Sequence, residues 1–463
     1  MREVVIEPTG FGLRGAFVDG GRLIEIADVD ATGDSVTDGL FLGRVDRVDR
    51  QLGAAFVDIG IGEAAFLGAK DARAAAGTTE RLPIDRLVRE GQRLVVQGVR
   101  EPVDGKGARV TADIRLFGFA LILRPRDLGV DVPARLGERQ REALAQRGKA
   151  LFGEAGVTLR RLAVQAGDEL LTGEFASLRE RWQRLQREAG ERQKPGRLQA
   201  DEPPLERLLR QMLEQAPERV VTADPVLGLA LRTLVGERLP GWKLDLVRLP
   251  ADGGAFAQTG VAAGIDEALG RDVPLPGGGR LRIEETAACV AIDVDGGART
   301  PLDVDLSAAH EVARQVRLRN LGGTIVVDFV DLASRPERQR LEEALKKAFR
   351  DDPLPPQIYP MSPLGLVQMS RPRRGRTLAN LLTRPCRSCD GTGREPSLRA
   401  LAERLIGELR QRSVPPRGLS VSRELAGFLK GEAAAAWTAA ATGVEPAIDP
   451  ALPREGRAYE VLG

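Results

Sequence analysis

Two aspartates in this chain stand in unusually apolar company. Asp293 lies in the run VAIDVD and Asp328 in TIVVDFVD. A carboxylate buried in such a run is costly unless it is paired or bound to a metal. Two runs of this kind laid side by side as strands would bring the carboxylates together. Hard oxygen donors, with water in the remaining positions, suit Mg²⁺. The competing reading assigns them to turn caps or to ion pairs with arginines such as Arg317 and Arg319.

A second constellation is Cys386-Arg-Ser-Cys389, followed by DGTG. This is the spacing of half a zinc knuckle, and a closed structural zinc site takes four ligands. The chain has no second CxxC, and the third cysteine, Cys289, sits in the apolar stretch AACVAID, where burial is expected. The count points to Zn²⁺ shared between chains, two thiolates from each, and so to a zinc-linked homodimer or a higher oligomer. A redox CxxC would open a helix after a strand, whereas TRPCRSCDGTG offers a loop. Two unpaired loop cysteines are the plain alternative.

A third group could bind nucleic acid. In AAFVDIGIGEAAFLG, Phe56 and Phe66 would stack on unpaired bases if they faced out from a small β-barrel, and would be core if they faced in. Lys106, in the turn DGKGAR, is a candidate phosphate contact or a solvated turn lysine. Arg371 and Arg373 belong to RPRRGR, four arginines in six residues, and RQVRLRN at 314–320 adds three more. In sequence the first of these runs follows Asp328 and the second lies just before its strand. They suit a polyanion held across a catalytic metal, with a solvated charge run as the alternative.

Composition narrows the chemistry. Among 463 residues there is one histidine, His310, so neither a histidine-pair ribonuclease mechanism nor a multi-histidine zinc site within one chain can be built. Carboxylates and a metal remain. With 68 basic and 66 acidic residues the net charge is +2, so local clustering of charge must decide whether nucleic acid binds. Hydrophobic residues make up 42% and charged residues 29%, as in a soluble globular protein. Aromatics supply only 4%, which leaves the cores to Leu, Val, Ile and Ala. No apolar run reaches the ~18 residues that span a bilayer. The start, MREVVIEPTG, lacks the apolar centre of a signal peptide. Three cysteines make no disulfide framework. The expectation is a cytoplasmic protein with no membrane partner.

The elements that must position these groups follow from periodicity. Residues 1–34 read as short strands with turns at Thr9-Gly10 and Gly20-Gly21. From Gly39 to about Leu116 the alternation is β throughout, and five short strands suggest a small OB-type barrel. Helices are expected over 136–151, 174–193, 306–321 and 335–350. Strands are expected over 157–165, near Val220, twice within 280–294, and over 323–332. The stretch 193–204, with KPG and EPP, reads as a linker, and 353–363, with five prolines, as a loop. The tail from Pro396 reads as a small α/β unit.

The order of these motifs is more specific than any one of them. LGAAFVDIG, then ARQVRLRNLGGTIVVDFVDL, LGLVQMSRPR and CxxCxGTG resemble the bacterial ribonuclease E/G family, most closely its shorter, ribonuclease G-like members. The resemblance implies a multidomain α+β chain. A ribonuclease-H-like domain would be split between 1–34 and 205–279. An OB-fold RNA-binding module (35–117) and a 5′-end sensor (118–204) would be inserted into it. A DNase-I-like catalytic domain (280–382), a zinc link (383–395) and a small C-terminal domain (396–463) would follow. It assigns Mg²⁺ to Asp293 and Asp328, Zn²⁺ to Cys386 and Cys389, and RNA contacts to Phe56, Phe66 and Lys106. Gly118 and Arg160 match its 5′-monophosphate sensor, with Ile122 in place of a Val and Arg161 in place of a Thr.

The function implied is Mg²⁺-dependent internal cleavage of single-stranded RNA, leaving 5′-phosphate and 3′-hydroxyl ends. The departures gather around the acidic pair. Asp295 stands where the family pattern Ile-Asp-x-Asn has an amide. Asp303 and Asp305 replace Asn, Ser307 replaces Glu, and the loop after Asp295 is short. An Asn can donate an N–H to the scissile phosphate and a carboxylate cannot. Asp295 would therefore bring negative charge toward the substrate unless a second metal lies between them. The alternative function is an RNA-binding chaperone or assembly factor of the same fold with weakened or lost cleavage.

Overall fold

Val, Ile and Leu runs build the sheets: consecutive Val4, Val5 and Ile6 bury both faces of the first strand, whereas later strands such as Val290–Asp295 alternate buried and open positions. The structure is a computed structural model and describes residues 1–30, 35–102, 107–133, 136–198, 202–372, 375–384, 386, 389, 393, 395–411, 416–440, 445–449, 452 and 458–462. Lys106 and Arg373 lie outside the described residues. The chain divides into two compact units, Met1–Leu381 and Leu382–Gly463.

The larger unit opens with an antiparallel meander, Arg2–Thr9, Gly12–Asp19 and Arg22–Asp30. Its sheet is completed from far down the chain. Arg219–Thr222 pairs in parallel with the first strand, and Asp245–Arg248 pairs in parallel with Arg219–Thr222. Between these stretches, Leu40–Asp49, Ala54–Asp58, Ala65–Gly68, Arg93–Arg100 and Arg109–Thr111 close into a five-stranded barrel. Closure satisfies the strand edges that an open sheet of this size would leave bare. The expected linker at 193–204 contains a further strand. Gly196–Arg197 pairs with Leu42 and Phe41 on the barrel, so backbone hydrogen bonds tie this stretch down.

A four-stranded sheet follows the barrel, built from Leu116–Phe117, Leu121–Leu128, Val130–Asp131 and Ala155–Leu159. Helices Glu138–Phe152 and Asp168–Glu191 accompany it. The strand expected over 157–165 ends at Leu159. Residues Arg161–Val164 turn as a 3₁₀ helix, and the Arg160 side chain goes inward.

The last sheet of this unit carries the acidic pair. Its strands, in order, are Asp272–Pro274, Arg280–Glu285, Val290–Asp295, Gly323–Asp328, Leu366–Arg371 and Gln357–Ile358. The last of these lies in the segment expected to be all loop. Ile292, Val294, Ile325 and Val327 share one core with Val304, Ala308, Val312 and Val316 of the helix Pro301–Leu318. That helix starts earlier than expected because Thr300 caps it, accepting from the Asp303 N–H, and Pro301 is pre-shaped for its first turn. A Ser334–Glu337 capping box starts the next helix, Arg335–Ala348.

The smaller unit has its own core of Leu405, Leu409, Leu419, Val421, Leu425 and Leu429. Its helices, Leu398–Gln411, Arg423–Lys430 and Ala434–Ala440, accompany a three-stranded sheet centred on Gly418–Val421.

The arginines expected to flank the acidic pair are engaged elsewhere. Arg371 is buried and makes two hydrogen bonds to Asp352 (2.8 and 2.9 Å) and one to the Leu321 carbonyl (2.6 Å). The antiparallel register sets it opposite Gly323, whereas Asp328 faces Leu366. Five residues of strand, about 17 Å, therefore separate it from the acids. Arg314 bonds Glu311 and the Leu23 carbonyl, Arg317 pairs with Glu25, and Arg319 bonds Gln315 and the Gly270 carbonyl. They stitch the helix Pro301–Leu318 and its C-terminal end to neighbouring elements, and Arg371 is part of the core.

Removing one member of a buried ion pair strands the other. Arg371→Ala should cost about 3–5 kcal/mol of stability in urea denaturation, and combining it with Asp352→Leu should recover much of the loss. A loss below ~1 kcal/mol for the single variant would mean that Asp352 is not held desolvated.

Candidate active site and nucleic-acid interface

Parallel pairing sets Asp293 directly opposite Asp328. Ile292, Val294 and Val327 point into the core, so both aspartates project from the other, solvent-facing side. The two carboxylates do come together, but both are exposed, so the expected burial cost is not what singles them out. Partial desolvation and the nearby charges of Asp295 and Asp328 push the Asp293 carboxyl above the usual range, with Arg282 and Arg280 acting in the opposite direction. Crowded carboxylates of this kind are relieved by a cation. Among the described residues no cluster of three or more His, Cys, Asp or Glu is arranged to hold a metal. Two hard carboxylates fit Mg²⁺, which keeps several waters and takes one or two carboxylates plus substrate phosphate.

The neighbouring strand adds a feature that the sequence reading missed. Arg282 lies opposite Asp293, and Arg280 lies opposite Asp295. Arg280 donates through Nε to Asp295 (2.6 Å), and Arg282 makes a two-point contact with Asp272 (2.9 and 3.2 Å). Asp295 therefore does not stand alone, as the sequence expectation had it: Arg280 is its ion-pair partner on this half-exposed surface. The signal was available in RLRIEE, where Arg280 and Arg282 alternate with the buried Leu281 and Ile283.

Asp305 sits beneath this surface on the helix Pro301–Leu318 and is fully buried. Its Oδ1 accepts from the Val330 N–H (3.0 Å), and Oδ2 has no partner among the described residues. Burial pushes its carboxyl up to about 7. Asp303 instead serves the helix start, within 2.7 Å of the Thr300 hydroxyl. His310 is exposed and hydrogen-bonds the Leu306 carbonyl, away from any cluster.

On the barrel, Phe56 and Phe66 are cross-strand partners with rings edge to face, 6.3 Å apart. Both are half-exposed, while Ala55, Val57, Ala65 and Leu67 beside them are buried. They form a surface platform. The Arg47 guanidinium lies 4.4 Å from the Phe56 ring centre, and Arg109 is paired alongside Phe66. Neither arginine was anticipated.

The residues matched to the terminal-phosphate sensor are arranged differently from expectation. Arg160 is buried and spends its donors on Glu214 (2.8 and 2.5 Å), the Arg210 carbonyl (3.1 Å) and the Gly118 carbonyl. It braces the 118–121 loop and does not face solvent. Glu174 accepts from the N–H groups of Phe119, Ala120 and Leu121. A Cβ on Gly118 would come 2.5 Å from that carboxylate, which explains the glycine. Arg161 is the exposed member and borders a recess with Gln140 and Trp242.

In the smaller unit Cys386 is exposed and Cys389 half-exposed, and the Gly393 N–H lies 3.3 Å from the Cys389 sulfur. Cys289, expected to be buried, is half-exposed at a hairpin end beside Thr286.

Residues 116–374 match the profile of the Ribonuclease E/G family. Ribonuclease G of Escherichia coli (strain K12) is 31% identical over 425 residues, covering 88% of this chain and 87% of that protein. Ribonuclease G of Haemophilus influenzae is 29% identical over 425 residues, with the same coverage of 88% and 87%. Ribonuclease E of Synechocystis sp. is 31% identical over 390 residues, 79% of this chain and 56% of that protein.

The buried Asp305 makes stability depend on pH. Its folded-state value near 7 lies above the ordinary 3.8, so the folded chain holds the proton more tightly than the unfolded one. The contribution is fully present below pH ~4 and is lost as pH rises toward ~7. Asp305→Asn should therefore raise stability at pH 8 by on the order of 4 kcal/mol and change it little at pH 4, measured by urea denaturation at both. An equal effect at the two pH values would show that no proton is held there.

Proposed function

The chain belongs to the ribonuclease E/G family, and from that premise we propose that it is an endoribonuclease of RNA processing or decay that cuts single-stranded RNA with the help of Mg²⁺. The observation that carries this reading is the register of Asp293 against Asp328 on an open, solvent-facing sheet surface. The two carboxylates would hold the metal. When bound, Mg²⁺ supplies Lewis acidity toward a phosphoryl oxygen and lowers the pKa of water. The products would carry 5′-phosphate and 3′-hydroxyl ends. Asp295 is ion-paired with Arg280, so the non-cleaving alternative loses its electrostatic argument.

The remaining parts take supporting roles in this reading. The barrel, as an OB-type module, would hold unpaired bases on Phe56 and Phe66, with Arg47 and Arg109 near the backbone. The 118–204 region would favour a 5′-terminal phosphate, with Arg161 as the exposed cation and Arg160 as the brace behind it. The split five-stranded sheet would be the ribonuclease-H-like scaffold, and the sheet with the acidic pair the DNase-I-like one. Cys386 and Cys389 would share Zn²⁺ with a second copy of the chain and join a homodimer. The protein would act in the cytoplasm.

Incubating the protein with a short 5′-phosphorylated RNA and Mg²⁺ should give internal products with 5′-phosphates. Asp293→Ala or Asp328→Ala should slow single-turnover cleavage roughly a thousandfold or more, the scale of losing a metal's charge stabilisation. Cleavage unchanged in both variants would refute the assignment. A base stacked on an aromatic ring is worth ~1–3 kcal/mol, so Phe56→Ala should weaken single-strand binding by about tenfold or more. Unchanged affinity in both Phe56→Ala and Phe66→Ala would mean that RNA binds elsewhere.

A further inference from the structure

We infer that Arg280 and Arg282 are the phosphate-contacting residues of this active site, standing beside the acidic pair to hold RNA phosphodiester oxygens against it. The inference rests on the ribonuclease reading and adds two residues to it.

The placement follows from the β-pleat. Leu281 and Ile283 are buried, so Arg280 and Arg282 share the solvent-facing side with Asp293 and Asp328. Register aligns Asp272, Arg282, Asp293 and Asp328 in one row across four strands. Neighbouring strands lie about 4.8 Å apart. Arg282 is thus one strand from the first acid and two from the second, within reach of a phosphate lying over the pair.

The orientation is fixed as well. Asp272 grips the Nε and Nη2 edge of Arg282. The Nη1 group makes no hydrogen bond among the described residues. Asp295 holds Arg280 through Nε alone, and its two terminal nitrogens make none among the described residues. A guanidinium anchored along one edge presents the rest of its planar fork, the geometry that recognises phosphate oxygens.

Charge balance gives these residues a task. With Asp272 and Asp295 beside it, the acidic pair makes a group of four carboxylates, against the two guanidiniums. One divalent cation brings that group to neutrality, so a phosphodiester can approach. Without the arginines the same cation would leave a net negative surface facing a negative substrate. Arg280 beside Asp295 thereby supplies the N–H donors that a carboxylate at that position lacks.

The test uses the full-length protein. Binding of a single-stranded RNA is measured in EDTA against salt concentration, and single-turnover cleavage is measured in Mg²⁺. Arg280→Gln and Arg282→Gln should each lower the salt slope of binding by about 0.7, the loss of one phosphate contact on a single strand. Each should cut kcat/KM by roughly 10- to 100-fold. Adding Asp295→Asn to Arg280→Gln should recover much of the loss, because the stranded carboxylate is removed. Both arginines are surface residues, and unchanged thermal midpoints will separate these effects from misfolding. Unchanged salt slopes and unchanged kcat/KM in both variants, with an active parent, would overturn the inference. A parent that does not cut RNA would overturn the ribonuclease reading instead, and the metal-free salt slopes would still decide the arginines.

Discussion

The juxtaposition of Asp293 and Asp328 hangs on the register between two parallel strands, Val290–Asp295 and Gly323–Asp328. In a β-strand, successive side chains point to opposite faces, so a slip of one residue would carry one aspartate to the core side. The register is enforced from below. Ile292, Val294, Ile325 and Val327 all lie in one core with the helix Pro301–Leu318. Sinking Asp293 or Asp328 into that core would expose an apolar residue and bury a charge, a double penalty. The acidic pair is therefore held by the packing of core residues on the opposite face of the sheet.

Arginines do two kinds of work, and partners tell them apart. Arg371, Arg314, Arg317 and Arg160 are largely hidden, with their donors directed at Asp352, Glu311, Glu25, Glu214 and main-chain carbonyls. Their fork geometry brings carbonyl and carboxylate groups from different elements to one point. Arg280, Arg282, Arg47 and Arg109 lie on open surfaces beside the acids or the Phe56–Phe66 platform. The distinction matters because the sequence-dense arginine runs turned out to include structural ones, while the arginines nearest the acids come from a short, unremarked strand.

Much of the candidate site was legible in the sequence, for physical reasons. VAIDVD and TIVVDFVD state a strand and a polar interruption together, and two such strands have few ways to sit except side by side. Phe56 and Phe66 were visible as aromatics in a β pattern, though their spacing did not say which face they took. What stayed illegible was the pairing. Nothing in RLRIEE announces that it lies against VAIDVD in the register that puts Arg280 on Asp295. Nor does RPRRGR reveal that Arg371 turns inward to Asp352.

By itself, then, the sequence determined which segments could be strands and helices, which residue types could hold a metal or stack on bases, and that no pair of histidines was available within one chain. Those properties are local: they depend on alternation, composition and the identity of single side chains. Only the tertiary structure decided that the aspartates are exposed and not buried, that Asp295 is paired with Arg280, and that Asp305 is buried with one oxygen unpartnered among the described residues. Each of those outcomes depends on a residue brought from another strand or loop. Coulomb energy and desolvation are set by distance and burial in space, which order along the chain does not specify.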